Sequence, residues 1–432
     1  MTVDFGDLNN ITPKWEFPMP HPDATTDQFI GCQYWTALDL ANAFYQIQVH
    51  DKHIPKLAFS TDDGHFEFTV MPFGVKNAPA TFQYLMYRVL GEFYGKFVYV
   101  YLDDIIIFSR SLEEHVDHLR QVLTKIREAN LKIKPSKCQW IKTTLRYLGY
   151  TISRDGVTTD PNNVAKLQNM RPPKNVKDIQ SFLGFCNFYK KFIKDFATIA
   201  HLLNALLHKG TPFLWTNECQ TAFETLRQAV ISAPVLSYPD YSKPFILYTD
   251  ASDYGIGAAI HQIGDDGKEH PISYAARTLR GSEVNWTTTE KECLAVVWGT
   301  LKFRHYLDNG LNFTIYTDHQ ALVTFKNDNT PNPRRARWRA ELSYFDYTLK
   351  HRPGKQMAHV DFLSRQVIPT DGQVARTIDQ MRIEFRPPIT EQYFVAQINE
   401  ASPVPFIHPK LKNEAASPIP IETYHNVEQE TT

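Results

Sequence analysis

Residues 97–108 read FVYVYLDDIIIF and place Asp103 and Asp104 between two apolar runs of strand-forming residues. The pattern predicts a hairpin of two buried strands with the acidic pair at a two-residue tip. A plain polar turn is one interpretation, although a tight hairpin turn favours Asn-Gly or Asp-Gly over Asp-Asp. Adjacent carboxylates also repel each other unless a cation lies between them, so a metal site is the other interpretation.

A third carboxylate, Asp39, ends a short apolar run in YWTALDLANAFYQI, residues 34–47. Asp39 has an alternative use as the N-cap of a helix that begins at Leu40. Two divalent ions about 3.5–4 Å apart need carboxylates that converge from different strands. Asp39 together with the adjacent pair therefore predicts a two-metal site, which suits phosphoryl transfer.

The second half of the chain carries another acidic series. Asp250 and Asp318 each end an apolar run that is typical of a strand, and the helical run 288–303 offers Glu290 and Glu292. Asp361 follows near the end of this region. Singly, these residues are turn or cap residues. As a series in a mixed-sheet domain, they predict a two-metal hydrolase site.

Length and composition set outer bounds on the molecule. At about 150 residues per domain, 432 residues predict two to four domains. A net charge of −1 does not by itself indicate a nucleic-acid-binding protein, but residues 367–432 are acidic and rich in proline, which leaves the rest mildly basic. The five cysteines form no C-x-x-C pair, which argues against a disulfide framework or structural zinc. No apolar run is long enough to cross a membrane.

The motifs, in their order along the chain, resemble the reverse transcriptase–ribonuclease H region of gypsy-type LTR retrotransposon Pol polyproteins. In the first half the resemblance is carried by VDFGDLNN (3–10), LDLANAFYQI (38–47), FEFTV (66–70), MPFGVKNAPATF (71–82), YLDD (101–104) and YLGYTI (147–152). In the second half it is carried by TDASDYGIGA (249–258), TEKECLAVVWGTLKFRHYL (289–307), YTDHQAL (316–322), RPGK (352–355) and VDFLSR (360–365).

For the first acidic group, the resemblance implies that Asp39 and Asp103 hold two magnesium ions. It assigns Asp104 as the third carboxylate and the carbonyl of Leu40 as an assisting ligand. Manganese is an expected substitute for magnesium at both sites.

The resemblance also implies the residues around the nucleotide and primer. Phe44 matches the aromatic residue that lies against the incoming sugar and excludes a 2′-hydroxyl. Phe73 and Gly74 match the lining of the nucleotide pocket, and Leu148 and Gly149 match the turn that grips the primer end. The alternatives are an ordinary core aromatic for Phe44 and a simple Pro-Gly turn for the MPFG segment.

For the second acidic group, the resemblance implies a ribonuclease H site, with Glu290 left on the surface. The four implied metal-binding acids are Asp250, Glu292, Asp318 and Asp361. His351 matches a mobile histidine that shuttles a proton, and an unperturbed pKa near 6.5 suits that work. An ordinary surface histidine is an equal alternative.

Two basic segments are candidates for phosphate contacts. The apolar spacing predicts an amphipathic helix over 176–197 with a basic side, from which Lys190 and Lys194 are candidates. Arg335 and Arg337 belong to an arginine cluster. The alternatives are a solvated basic face and a salt-bridged helix face.

The implied fold is α+β and multidomain. A right-hand polymerase palm with truncated fingers (1–155) precedes a helical thumb and connecting region (156–240). A ribonuclease H-like mixed α/β domain (241–366) and a disordered tail (367–432) follow. The family carries an arginine where this chain has Gly6, and finger strands are expected before the first residue, so we expect a fragment of a longer polyprotein.

The implied function is RNA-directed DNA synthesis with cleavage of the RNA strand in RNA–DNA hybrids. The implied partners are an RNA template, a DNA primer, the hybrid, deoxynucleoside triphosphates, other Pol or Gag products and a second copy in a dimer, without a membrane. The expected location is cytoplasmic, in a virus-like particle, with access to the nucleus. One alternative is a polymerase-defective fragment that keeps only ribonuclease H activity, and the other is a non-enzymatic nucleic-acid-binding remnant.

Overall fold

The computed structural model describes residues 3–20, 22–323 and 332–352. None of the helices in these ranges is both long and apolar enough to span a bilayer. Contacts divide the described chain into two compact units. The first contains 3–20 and 34–142, and the second contains 22–33 and the described residues from Thr143 onward. The expected tail, 367–432, lies outside the described residues.

The strands of the described residues are β1 (Tyr34–Asp39), β2 (Ala58–Thr61), β3 (Gly64–Glu67), β4 (Val98–Tyr101), β5 (Asp104–Ser109), β6 (Gln139–Lys142), β7 (Thr144–Tyr147), β8 (Tyr150–Ser153), β9 (Gly156–Thr159), β10 (Phe245–Ala251), β11 (Gly255–Ile263), β12 (Glu269–Thr278), β13 (Phe313–Thr317) and β14 (Tyr347–His351). The α-helices are α1 (Gly6–Ile11), α2 (Pro22–Thr26), α3 (Ala78–Leu90), α4 (Leu112–Glu128), α5 (Pro161–Gln168), α6 (Val176–Phe188), α7 (Phe196–Ala205), α8 (Asn217–Ile231), α9 (Thr288–Lys302), α10 (Arg304–Leu307) and α11 (Pro333–Leu342).

A four-stranded antiparallel sheet, in the order β4-β5-β1-β6, forms the centre of the first unit. β5 is buried from Ile105 to Ser109, as a central strand covered on both faces should be. Helices α3 and α4 pack on this sheet, and Phe82 and Leu119 enter its core. Ser111 caps α4 by accepting from the Glu114 N–H group, which fixes where that helix begins.

The second unit contains a three-stranded antiparallel sheet, β7-β8-β9, and the helices α5 to α8. These helices enclose a core that includes Phe182, Tyr189, Phe192 and Phe223. Most of the large apolar residues of the predicted amphipathic segment are therefore buried, as their spacing indicates. Phe188 is exposed, and Phe185 and Phe196 are half-buried.

The continuous helix predicted over 176–197 is broken. α6 ends at Phe188, a short 3₁₀ turn spans Lys190–Phe192, and α7 begins at Phe196. Asp195, before α7, has a left-handed φ of 55°. The prediction failed because the buried aromatic residues before and after the break pack into the same core. A continuous helix and two shorter helices give the same apolar spacing, so the spacing alone does not reveal the break.

A five-stranded mixed sheet, in the order β12-β11-β10-β13-β14, completes the second unit. β10, β11 and β12 pair antiparallel, whereas β13 pairs parallel with both β10 and β14. α9 packs closely on this sheet, because a Cβ added to Gly299 would lie 2.9 Å from the Ala258 Cβ. The sheet and α9 thereby bring strand ends and the first turn of a helix together.

Candidate active sites

The predicted acidic hairpin exists, but its tip lies one residue earlier than expected. Tyr101 pairs with Asp104, so Leu102 and Asp103 form the two-residue loop. Leu102 adopts a left-handed φ of 53°, an uncommon conformation for a bulky residue. Asp104 instead begins β5, where it also pairs with Asp39 at the end of β1. The sheet register, rather than the turn preference, decides which aspartate lies in the loop.

Gln83 holds this turn, a role that the sequence pattern did not predict. Its side chain is 2% exposed on α3. Its Nε2 donates to the Val100 carbonyl at 2.9 Å, and its Oε1 accepts from the Leu102 N–H group at 2.8 Å. Both backbone groups would otherwise need another partner. A glutamine among the apolar residues of an amphipathic helix was the available signal.

Asp39 does not cap a helix at Leu40. It is the last residue of β1, and the next helical segment is a 3₁₀ turn at Ala43–Gln46. The Asp39 carbonyl accepts from the Lys134 N–H group at 2.8 Å, and its own N–H group donates to the Cys138 Sγ at 3.4 Å. Two backbone contacts therefore fix the carboxylate at the strand end.

The first acidic group favours binding of a cation. Burial, then the charges of Asp104 and Asp39, raise the pKa of Asp103. Partial burial, then the charge of Asp39, raises the pKa of Asp104. The Asp103 Oδ1 is buried and has no hydrogen-bond partner. Lys137 lies 3.6 Å from Asp39 and opposes the repulsion, but its side chain is 59% exposed, so solvent screens its charge.

The predicted nucleotide-pocket residues contact one another. The Phe44 and Phe73 ring centroids are 5.2 Å apart, and Phe73 is 46% exposed. Gly74 has a φ of 92°, which favours glycine, and its carbonyl accepts from the Asn9 side chain at 2.8 Å. The MPFG turn is thus tied to α1. Gly6 begins that helix, and its N–H group donates to Asp4.

The predicted primer-grip turn joins β7 to β8 in the second unit. Leu148 and Gly149 both have left-handed φ values, 46° and 78°, as a type I′ turn requires. The Gly149 carbonyl accepts from the Tyr189 hydroxyl at 2.7 Å. A Cβ on Gly149 would lie 3.0 Å from the Phe188 ring, so this turn is held closely against α6.

The two lysines selected as phosphate contacts, Lys190 and Lys194, are exposed. Lys191 is held instead by Asp23 at 2.6 Å and by the Tyr150 ring, whose centroid lies 4.1 Å from its Nζ. Sequence position alone does not distinguish these three lysines.

The arginine cluster lies on α11. Arg337 is 82% exposed and lies 3.4 Å from Glu341, whereas Arg335 is half-buried. Arg334 pairs with Glu290 at 2.7 Å and lies over the Trp286 ring. The alternative of a salt-bridged helix face therefore holds for Arg334 and Arg337.

The second acidic group is compact. Carboxylate oxygens from Asp250, Glu292 and Asp318 all lie within 4.8 Å of one another. Among the residues that the structure describes, these are the three acids whose carboxylate oxygens lie this close together. The oxygens of Asp39, Asp103 and Asp104 are farther apart than this. Asp250 lies on β10, Glu292 on α9 and Asp318 just after β13. Asp361 lies outside the described residues.

Glu292 is the most buried member of this group. Its side chain is 3% exposed, its Oε1 accepts from the Ala251 N–H group at 3.2 Å, and its Oε2 is buried without a partner. Burial, then the charges of Asp250 and Asp318, raise the pKa of Glu292 to about 8. Burial and neighbouring carboxylates raise the pKa of Asp250 to about 6. A hard divalent cation would compensate these charges.

Glu290 and His351 have separate roles in the local structure. Glu290 closes a capping box with Thr287 at the start of α9 and does not join the acidic group. His351 ends β14, and its Nε2 donates to the Asp318 carbonyl at 3.1 Å. His351 therefore lies beside one of the three acids while remaining exposed.

The antiparallel sheet of the first unit thus carries three aspartates near one end, and the mixed sheet of the second unit carries three clustered carboxylates. Carboxylate groups of this kind are typical of proteins that bind divalent cations. Residues 1–152 match the family described as reverse transcriptase (RNA-dependent DNA polymerase). Residues 215–315 match the RNase H-like domain found in reverse transcriptase. The chain belongs to the reverse transcriptase–RNase H region of retrotransposon Pol polyproteins, and the predicted gypsy type is consistent with its relatives.

Among these relatives is the retrovirus-related Pol polyprotein from transposon 297 of Drosophila melanogaster. It is 41% identical over 366 residues, which cover 84% of this chain and 34% of the relative. The transposon Tf2-3 polyprotein of Schizosaccharomyces pombe is 37% identical over 86% of this chain and 28% of the relative. The chain thus spans about a third of the length of these curated relatives.

Solved structures share the fold. The foamy viral protease-reverse transcriptase dRH in complex with double-stranded DNA has a TM-score of 0.72 and 23% identity, covering 81% of this chain and 62% of that one. The foamy viral protease-reverse transcriptase in complex with an RNA/DNA hybrid has a TM-score of 0.66 and 22% identity, covering 86% and 50%. The predicted α+β multidomain fold class is confirmed.

Proposed function

We propose that this chain is an RNA-directed DNA polymerase with ribonuclease H activity. The observation that carries the proposal is shared by both acidic groups. Each contains a buried carboxylate oxygen without a hydrogen-bond partner, on Asp103 in the first and Glu292 in the second. Buried anionic oxygens of this kind are expected to be satisfied, and an ion is one way to satisfy them.

Magnesium is the proposed ion, because all the candidate side-chain ligands are carboxylates, which are hard oxygen donors. When bound, it would activate the attacking oxygen and stabilise the leaving group. Asp39, Asp103 and Asp104, with the Leu40 carbonyl, would hold it at the polymerase site. Manganese is the proposed substitute.

In the polymerase reaction, the primer 3′-hydroxyl attacks the α-phosphate of a deoxynucleoside triphosphate and pyrophosphate leaves. Gln83 keeps Asp103 in place by holding the hairpin backbone. Phe44 and Phe73 would form the wall beside the incoming sugar and base. Leu148 and Gly149 would contact the primer end through the turn that joins β7 to β8.

In the ribonuclease H reaction, water attacks a phosphodiester of the RNA strand in a hybrid. Asp250, Glu292 and Asp318, with Asp361, would hold the cations. His351 is placed to accept and release a proton through its Nδ1, because its Nε2 donates to the Asp318 carbonyl.

The proposed substrates are an RNA template, a DNA primer and their hybrid, held chiefly through phosphates by Lys190, Lys194, Arg335 and Arg337. Complexes of the foamy viral relative with double-stranded DNA and an RNA/DNA hybrid support this class of substrate. The cytoplasmic particle, nuclear access, dimer and further Pol or Gag partners stay predictions.

One gel tests both activities. A labelled DNA primer on a differently labelled RNA template is incubated with magnesium and deoxynucleotides, beside Asp103→Asn and Asp250→Asn variants. Primer extension lost only in the first variant, with RNA cleavage lost only in the second, supports the proposal. RNA cleavage without extension in the unmodified chain favours the polymerase-defective alternative, which Gly6 in place of the family's arginine supports. Salt-sensitive binding without any product favours the non-enzymatic alternative.

A further inference from the structure

Asp195 is a carboxylate near the ribonuclease H acids, although it belongs to the helical segment that precedes the mixed sheet. It directly precedes α7 and has a φ of 55°. Aspartate and asparagine adopt this left-handed conformation more readily than other residues with a side chain. Its side chain makes no capping hydrogen bond to α7, so capping does not explain the aspartate.

Gly257 brings Asp195 close to Asp250. The Asp195 Oδ1 lies 2.9 Å from the position that a Cβ on Gly257 would take. Gly257 and Asp250 are directly opposed in the antiparallel pair of β11 with β10. Opposed residues project to the same face with Cβ atoms about 4.5–5.5 Å apart. The Asp195 carboxylate therefore occupies the space beside Asp250 that the missing side chain leaves open.

The first turn of α7 is fixed to the loop that follows β10. The Thr198 and Ser252 hydroxyl oxygens are 3.0 Å apart, and the Ser252 hydroxyl accepts from the Gly255 N–H group at 3.0 Å. His201 stacks on Tyr254, with ring centroids 4.5 Å apart. These contacts hold Asp195 against the acidic group.

The geometry indicates that this placement serves a cation. The Asp195 carboxylate lies beside the position opposite Asp250 on the β10–β11 pair, so two negatively charged groups are held close together there. Glu292, which is 3% exposed, keeps its Oε2 without a partner in the same group. A divalent cation would turn the repulsion among these carboxylates into attraction.

We propose that Asp195 is a positioning residue of the ribonuclease H site, which strengthens cation binding by the set Asp250, Glu292 and Asp318. The connecting helical segment is thus a part of that site. This inference rests on the proposed ribonuclease H function and deepens it. It also explains Gly257, because any side chain there would displace the Asp195 carboxylate.

The test measures thermal unfolding of the full chain in EDTA and across a manganese titration. All variants carry Asp103→Asn, so that manganese binding at the polymerase site contributes little to the change in unfolding temperature. Asp195→Asn keeps the shape and removes the charge. We expect its unfolding temperature in EDTA to rise by about 2 °C, because a repulsion is lost. We expect its manganese midpoint, which is the manganese concentration that gives half of the full rise in unfolding temperature, to increase roughly tenfold. The reason is that the attraction between the Asp195 carboxylate and the cation is lost.

Two further variants sharpen the test. Asp265→Asn removes the same charge from a 96% exposed position and should leave the manganese midpoint unchanged. Gly257→Ala keeps the charge of Asp195 but displaces its carboxylate, so it should raise the midpoint as Asp195→Asn does.

Asp195→Asn overturns the proposal if it unfolds at a lower temperature in EDTA with an unchanged manganese midpoint, because Asp195 is then purely structural. Asp250→Asn separates this failure from failure of the proposed function. If Asp250→Asn shifts the midpoint and Asp195→Asn does not, only the proposal on Asp195 fails. If neither shifts it, the metal site of the proposed ribonuclease H fails as well.

Discussion

The two acidic sites of this chain use the same kind of side chain in different surroundings. At the first, the Asp39 side chain is 28% exposed and Lys137 lies 3.6 Å away. At the second, Glu292 is 3% exposed, and burial with neighbouring carboxylates raises its pKa to about 8. The difference teaches that burial and nearby basic groups, rather than the number of acids, decide how strongly each site depends on pH and on a cation.

The strongest test of this comparison is a pair of substitutions two residues apart on α9. Glu292→Gln should lower RNA cleavage by about a thousandfold or more, because it removes a carboxylate of the acidic group. Glu290→Gln should leave cleavage and the capping box intact, because glutamine also accepts at that position, and it should lower the free energy of unfolding by only about 0.5 kcal/mol through the lost ion pair with Arg334. Single-turnover cleavage and urea unfolding measure the two effects. Equal loss of cleavage in both variants would contradict the assignment of Glu292.

A substitution at Gln83 should affect only the first site. Gln83→Leu leaves the Val100 carbonyl and the Leu102 N–H group without their buried partner, at a cost of about 2–3 kcal/mol. We expect primer extension to fall roughly thirtyfold, because Asp103 loses its fixed turn. RNA cleavage by the same preparation is the internal control. A matching decrease in RNA cleavage would indicate general unfolding instead.

The pH dependence of stability should distinguish the sites without any substrate. The raised pKa values of Asp250, about 6, and Glu292, about 8, favour the protonated folded state. Their stabilising effect is full below the unfolded pKa of about 4 and is lost as pH rises through 6 and 8. In EDTA, the unfolding temperature should therefore fall between pH 5 and 8.5, and magnesium should reverse part of this fall.

The control for this pH dependence is Glu292→Gln, which removes the group with the higher pKa. Its unfolding temperature should fall less between pH 7 and 8.5 than that of the unmodified chain. An identical slope would mean that Glu292 ionises normally, and the contrast between the two sites would then largely disappear.

The smallest expected effect comes from two neighbouring lysines and should be common to both activities. Lys190→Gln should weaken hybrid binding about threefold and reduce the salt slope by somewhat less than 1. Lys191→Gln should leave that slope unchanged and lower the unfolding temperature, because Lys191 contacts Asp23 and Tyr150. Filter binding across salt concentrations measures both. A larger change in slope for Lys191 would reverse the assignment.

Local patterns were sufficient for much of the fold. Apolar runs that end in aspartate predicted β10 and β13, because alternation and strand length are properties of neighbouring residues. The same logic predicted the hairpin around Asp103. It missed the tip by one residue, because the pairing of Asp104 with Asp39 joins two distant stretches of chain.

The sequence by itself determined which acids this protein carries, their order along the chain and the elements on which most of them lie. Only the tertiary structure decided that Gln83 holds the turn beside Asp103 and that Asp195 lies beside Asp250. Both contacts arise where a helix packs against a sheet. Such packing depends on the shape of a whole core, which no local spacing of residues records.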